Sequence, residues 1–306
     1  MNPLTYYARQ SPFSDPAEYG TEFAYLPIDV PKLCRVVQGL LIHHQAGKLY
    51  DIEFTDKRKQ ELDTRYVSLL LKRLYALDTR PFMVARVPEA RVVSSCRDFA
   101  LLLCSMLRQL AVPARIRFGF SGYFVSDFYY DHVVCEYWCS KERRWVLVDA
   151  QQDDRDHHLQ YSSFNPQDVP RNRFLTASTA WLLCRTGKED PTRFGFAPSQ
   201  ESRGQWVICN SLVHDLAALY RMELLIWDVW GLASSKKVDL SEEQLSLLDR
   251  VAVMAEAGNS AFSTLCSIYA SNADLRVPAV IQSYSPATPD ICASIKMPGG
   301  DTPSYE

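Results

Sequence analysis

Apolar residues recur along this chain with two different periods, and the switch between them predicts its elements. In residues 57–77, Leu62, Tyr66, Leu69, Leu70, Leu74 and Leu77 fall at the spacing of one helix face, so an amphipathic helix is expected there. A first helix is expected over 33–46. Residues 95–110 are apolar on nearly every side, the mark of a buried helix, and Pro113 closes it. The pattern then changes to short strand-like runs at 114–120, 132–139 and 145–149. Turns are expected between them at 127–131 and 140–144. A helix followed by antiparallel-looking strands predicts an α+β fold.

After Asp149 the character changes. Residues 151–160 are polar, and Val169-Pro170 should open a helix reaching about Arg185, because proline suits a first helical turn. A further helix is expected within 206–230. Ser241 with Gln244 three residues on forms a capping box ahead of a helix to about Ala257, and a shorter helix is expected over 261–273. Residues 1–31, rich in proline and aromatics, read as an irregular arm. Pro278, Pro286, Pro289, Pro298 and Pro303 predict a frayed tail over 276–306. The expected organisation is an N-terminal arm and helices (1–90), a catalytic core (91–165), a C-terminal helical region (166–275) and that tail.

Composition narrows the function classes. Hydrophobic residues at 47% and charged residues at 23% exclude wholesale disorder. Lysine and arginine number 33 against 36 acidic residues, leaving no basic surplus for nucleic acid. The longest dense apolar stretch, 99–107, is too short to span a bilayer, so no membrane association is expected. Residues 1–9 lack a basic start and apolar core, so a secretory signal is not expected. Nine cysteines, an odd number spread along the chain, predict a reducing cytoplasm with thiols mostly as core filler.

One cysteine stands apart. Cys96 begins the buried helix, where unsatisfied N–H groups and the helix dipole favour a thiolate. His132 opens one expected strand and Asp149 ends another, and in an antiparallel pair those positions lie side by side. An imidazole near Cys96 takes its proton, and a carboxylate behind it fixes the tautomer. Helix N–H groups would then stabilise an oxyanion.

Other candidates are weaker. Cys135 and Cys139 fall on the strand face opposite His132, and no Cys-x-x-Cys pattern points to zinc. Asp153, Asp154, Asp156, His157 and His158 read as a solvated loop rather than a metal site. His43-His44 at a helix end is explained by the dipole, and His214-Asp215 reads as structural. Arg97 and Asp98 either border the cleft or form an ion pair. Asp131 reads as a turn residue or as a group tuning His132. Tyr123, Phe124, Phe128, Tyr129 and Tyr130 form an aromatic loop, either overhanging the cleft or simply packed. Gly299-Gly300 is not a phosphate loop. No side chain is identified as an oxyanion donor.

The block from Ser94 to Gln152 resembles the transglutaminase-like superfamily, with its papain-related fold. The likeness lies in Cys96-Arg97-Asp98-Phe99-Ala100, the leucine-rich run after it, Pro113-Ala114-Arg115, the histidine opening an aromatic strand and Trp145-Val146-Leu147-Val148-Asp149. The resemblance implies a nucleophile helix packed on an antiparallel sheet, with extra N- and C-terminal helices. It implies Cys96 as nucleophile, His132 as base and Asp149 as orienting acid. Ser94-Ser95 departs from the glycine that many members carry before the cysteine, which bears on backbone approach at the nucleophile. The expected function is a cysteine hydrolase or acyltransferase. It would form a thioester from a peptide, amide or acyl-thioester substrate and pass it to water or an amine. The alternative is a non-catalytic binding or scaffold protein. No cofactor and no metal are expected, and the helices in 206–275 leave a protein partner open.

Overall fold

The computed structural model describes residues 2–153, 164–234 and 239–297. Asp154, Asp156, His157, His158 and Gly299-Gly300 lie outside the described residues. In the N-terminal arm, helix α1 (Pro3–Tyr7) starts on Asn2, whose side chain accepts from Leu4 N at 2.8 Å. The arm is not a loose one. Tyr7 and Phe13 are fully buried, and the Tyr7 hydroxyl donates to Leu219 O at 2.9 Å. Helix α2 (Val30–Leu40) is capped by Asp29, which accepts from Lys32 N. It ends six residues short of the expected 46, because residues 41–43 become strand β1 (Leu41–His43).

The helix expected over 57–77 is broken. Helix α3 (Asp56–Lys59) runs into a 3-10 turn (Gln60–Asp63), and helix α4 (Val67–Leu77) restarts after three extended residues. Polar bonds outcompete helical ones at the break. The Arg97 guanidinium takes the carbonyl of Arg65 at 2.7 Å, and Arg65 itself reaches Asp228 at 2.6 Å. Leu62, Leu70 and Leu74 are buried as expected, but Leu69 and Leu77 are exposed. Strand β2 (Val92–Ser94) then pairs with β1 in parallel, Ile42 opposite Val93 and His43 opposite Ser94.

Helix α5 (Cys96–Gln109) is buried along nearly its whole length, as its all-round apolar pattern requires. It packs on a long hairpin of β3 (Ala114–Val125) and β4 (Phe128–Cys139), extended by β5 (Arg144–Val148). These strands outrun expectation. The turn is Ser126-Asp127, with Asp127 in the left-handed region at φ 60°, so Tyr129, Tyr130 and Asp131 are strand residues. The helix expected from Val169-Pro170 starts later, because β6 (Phe174–Thr176) is recruited to the sheet beside β3. Gly119 permits that approach: a Cβ there would stand 2.2 Å from Leu175 O. Helix α6 (Ala177–Arg185) follows, capped by Thr176. Strand β7 (Phe194–Gly195) joins β4 in parallel, and α7 (Gln205–Leu219) packs on β3.

Residues 228–297 hold β8 (Asp228–Val229), α8 (Glu242–Ala257), α9 (Phe262–Ser271), β9 (Val280–Ser283) and β10 (Ala293–Lys296). The capping box of Ser241 and Gln244 forms as read from the sequence. The expected frayed tail is ordered through Met297. Strands β8, β9 and β10 make a three-stranded sheet, tied to the body by Arg65 donating to Ser283 Oγ at 2.8 Å. No helix among the described residues is long and apolar enough to cross a membrane.

Buried ion pairs fasten these layers. Arg117 on β3 pairs with Asp215 on α7 at 2.9 Å and with Glu136 on β4 at 3.1 Å. This accounts for Asp215 as a structural residue. Burial alone would raise Glu136, but Arg115, Arg117 and Arg171 outweigh it and hold the carboxyl below the usual range. Glu223 joins three segments, accepting from Arg108 at 2.9 Å and from Ser11 at 2.6 Å. Glu223→Ala strands a buried guanidinium and is expected to cost about 3–5 kcal/mol, read from the urea midpoint at unchanged slope. A loss below about 1 kcal/mol would refute that role.

Candidate active site

Cys96 is the first residue of α5, with Ser95 as its N-cap. The Asp98 carboxylate reaches back to the Ser95 N–H at 2.9 Å and its hydroxyl at 3.1 Å, so the turn carrying the thiol is closed by its own side chains. Arg97 does not border the cleft. It is buried, pairs with Asp98 at 3.0 Å and donates to the carbonyls of Arg65 and Glu223. Ser95 completes the capping box with Asp98.

His132 lies on β4 opposite Gly119, and Asp149 directly follows β5. Strand pairing sets Cys135 opposite Val148, which brings Asp149 around to the imidazole. His132 Nε2 and Asp149 Oδ2 are 2.9 Å apart, and Cys96 lines the same cleft as the ring, near enough to act on its charge. With Nε2 on the carboxylate, Nδ1 is the nitrogen left for another partner. The structure thus brings Cys96, His132 and Asp149 together. Asp149 Oδ2 also accepts from the Tyr123 hydroxyl at 2.6 Å, and Oδ1 from Gln151 N at 3.0 Å.

Electrostatics follow from these contacts. Burial alone would discharge His132, but Asp149 and the Cys96 sulfur outweigh it and lift the ring to about 10. Burial would likewise raise Asp149. His132, Tyr123 and the Gln151 N–H reverse this and hold the carboxyl below its ordinary value. Burial and the Asp149 charge keep the Tyr123 phenol protonated, so it remains a donor.

Sequence reasoning missed two partners. Tyr123 belongs to the hairpin, not to a loop, and its bond to Asp149 needed the β3–β4 register. Phe124 packs edge-on against His132 at 5.0 Å between centroids, so part of the aromatic run does wall the site. His43 is also corrected: it lies on β1 rather than at a helix end. Burial, with His44 and His132 nearby, holds its pKa well below normal, so a dipole–charge interaction does not explain it. Gln45 N donates to His43 Nδ1 at 3.3 Å, which leaves the proton on Nε2.

A cleft of about 800 Å³ opens beside Cys96 and His132, bounded by His43, His44, Asp131 and residues of α7 and the segments around β8 and β9. Six aromatic side chains stand in its walls: Phe124, Tyr130, Phe196, Trp206, Trp227 and Tyr284. Among the described residues, no group of three or more His, Cys, Asp or Glu side chains is arranged to hold a metal ion.

Residues 75–150 match the sequence model of the transglutaminase-like superfamily, a span that includes all three residues. A solved structure described as a "putative cysteine protease", from Cytophaga hutchinsonii, is similar at 14% identity and a TM-score of 0.31. The likeness covers 56% of this chain and 45% of that one, less than half of its length. No curated protein matches the chain.

Asp149→Asn removes the charge that opposes burial at His132. The imidazole pKa is then expected to fall below its ordinary value of about 6.5, measured by NMR titration. A value unchanged from the wild type would refute the pairing. The sign for stability follows from both shifts. The raised His132 contributes fully below about pH 6.5 and loses its contribution as pH climbs toward 10. The lowered Asp149 contributes fully above about pH 3.9 and loses its contribution in acid. The advantage of wild type over His132→Ala should therefore be greatest between about pH 4 and 6.5 and shrink in alkali.

Proposed function

We propose that this chain is a cysteine-dependent acyl-transfer enzyme acting on a peptide, amide or acyl-thioester substrate. One observation carries the reading: a thiol at a helix N-terminus meets an imidazole already bonded to a buried carboxylate, at the edge of an open cleft. Membership of the transglutaminase-like superfamily over residues 75–150 supports a cysteine-enzyme type of site.

In this mechanism His132 Nδ1 takes the Cys96 proton, and the sulfur forms a bond to the substrate carbonyl carbon. The carbonyl electron pair moves to oxygen. The N–H groups of the first turn of α5 stabilise that oxyanion, joined by the neutral Nε2–H of His43. The C–N or C–S bond then breaks, the leaving group takes the proton from His132, and a thioester remains on Cys96. Asp149 keeps the imidazolium oriented throughout. Water resolves the thioester to an acid, and an amine resolves it to a new amide. Helix α7 and the segments around β8 and just after β9 form the far wall of the cleft and so govern which acceptor enters. All nine cysteines are free thiols, which fits a reducing compartment such as the cytoplasm.

Site-resolved alkylation of Cys96 by iodoacetamide, followed against pH by mass spectrometry, tests the reading. The rate is expected to stay high down to about pH 6 and to collapse in His132→Ala. Cys96→Ala is expected to abolish turnover of any amide or thioester found as substrate. A rate that rises only near pH 8.5 and is unchanged in His132→Ala would make the chain a non-catalytic binding protein on the same fold.

A further inference from the structure

Every fully buried carboxylate among the described residues faces a cation that the chain itself supplies. Glu223 meets Arg108, Asp228 meets Arg65, and Asp215 meets Arg117, and the remaining ones follow the same rule. The rule has a physical basis, since a carboxylate removed from water without a partner is strongly disfavoured.

Asp131 breaks it. The residue is half-buried on β4, opposite Phe120, in the wall of the cleft that holds Cys96. Burial pushes its carboxyl up to about 6, and only the charge of neighbouring His132 opposes the rise. Among the described residues no hydrogen bond or ion pair reaches it. The described lining of the cleft contains no lysine or arginine, burial disfavours a charge on His43 and His44, and the charge of His132, which also lines it, is taken up by Asp149. Aromatic rings in such a lining attract cations rather than anions through their faces.

We propose that the cleft takes a substrate bearing an ammonium or guanidinium group on an apolar stem, with Asp131 as its counter-charge and the aromatic rings around the stem. An anionic group would meet an unpaired like charge, and a purely apolar one would leave the carboxylate without a partner. The inference rests on the reading of Cys96 as the reacting thiol and deepens it, by naming the charge of the group delivered beside that thiol.

Three methanethiosulfonate reagents test it without knowledge of the substrate: one with an ammonium group, one with a neutral methyl and one with a sulfonate. In each the Cys96 thiolate attacks the sulfenyl sulfur, a disulfide forms and methanesulfinate leaves. Rates at Cys96, resolved by mass spectrometry and divided by those of 2-mercaptoethanol, isolate the effect of the cleft. The ammonium reagent is expected to lead the sulfonate by roughly tenfold or more, and Asp131→Asn to erase most of that preference. The rate of the neutral reagent in each protein serves as its reference, which separates charge selection from any change at His132. The same ammonium preference in wild type and Asp131→Asn would overturn the proposal while leaving the cysteine chemistry intact. Should Cys96 resist all three reagents, the reading of the thiol fails. Calorimetric binding of 4-phenylbutylamine against 4-phenylbutyrate then decides the cleft's charge preference. Tighter amine binding that is lost in Asp131→Asn supports the proposal, and equal binding of the two refutes it.

Discussion

The structure depends on how the N-terminus of α5 is held inside the protein. A helix start carries free N–H groups that must find partners, and here that end is buried. Asp98 closes the first turn on Ser95, while Arg97, one residue beyond the thiol, grips the carbonyls of Arg65 and Glu223. One side chain therefore ties the turn that carries Cys96 to the segment between α3 and α4 and to the segment after α7. That tie explains why the helical pattern of residues 57–77 is interrupted. The carbonyls at the break are worth more to a buried guanidinium than to another helical turn.

The hairpin of β3 and β4 does for His132 what the cap does for Cys96. Its pairing register puts His132 opposite Gly119, and the absence of a side chain at Gly119 lets β6 press against the sheet. Strand β5 then delivers Asp149 to the imidazole. Tyr123, further along the same hairpin, returns to donate to the same carboxylate oxygen. Three side chains from two strands and one strand end are thereby locked before any substrate arrives, which is the preorganisation that charge-developing chemistry requires.

The buried charges follow one economy. Arginines neutralise the carboxylates that join layers, so these pairs position elements rather than react. The exceptions gather at the cleft. His132 carries a raised pKa because its partner is a carboxylate, His43 stays neutral because burial, with histidines beside it, disfavours its charge, and Asp131 has no partner of its own. The arginine pairing of the layers is thus absent around the cleft.

Much of the core was legible in the sequence. The all-round apolar pattern of α5, the position of Cys96 at its start, the three strand runs and the capping box at Ser241 are local signals, and local propensity and periodicity govern them. The sequence set His132 at a strand start and Asp149 at a strand end; β4 begins at Phe128 and carries His132 within it, and their 2.9 Å approach required the sheet. Only the tertiary structure decided the rest. Residues 57–77 broke, 41–43 and 174–176 became strands, and 280–296 folded into a sheet, because partners distant in sequence offered hydrogen bonds and buried contacts that local preference cannot anticipate. The cleft is decided in the same way. Its walls come from β1, the β3–β4 hairpin, α7 and the segments around β8 and β9, and no single stretch of sequence carries its shape or its unpaired charge.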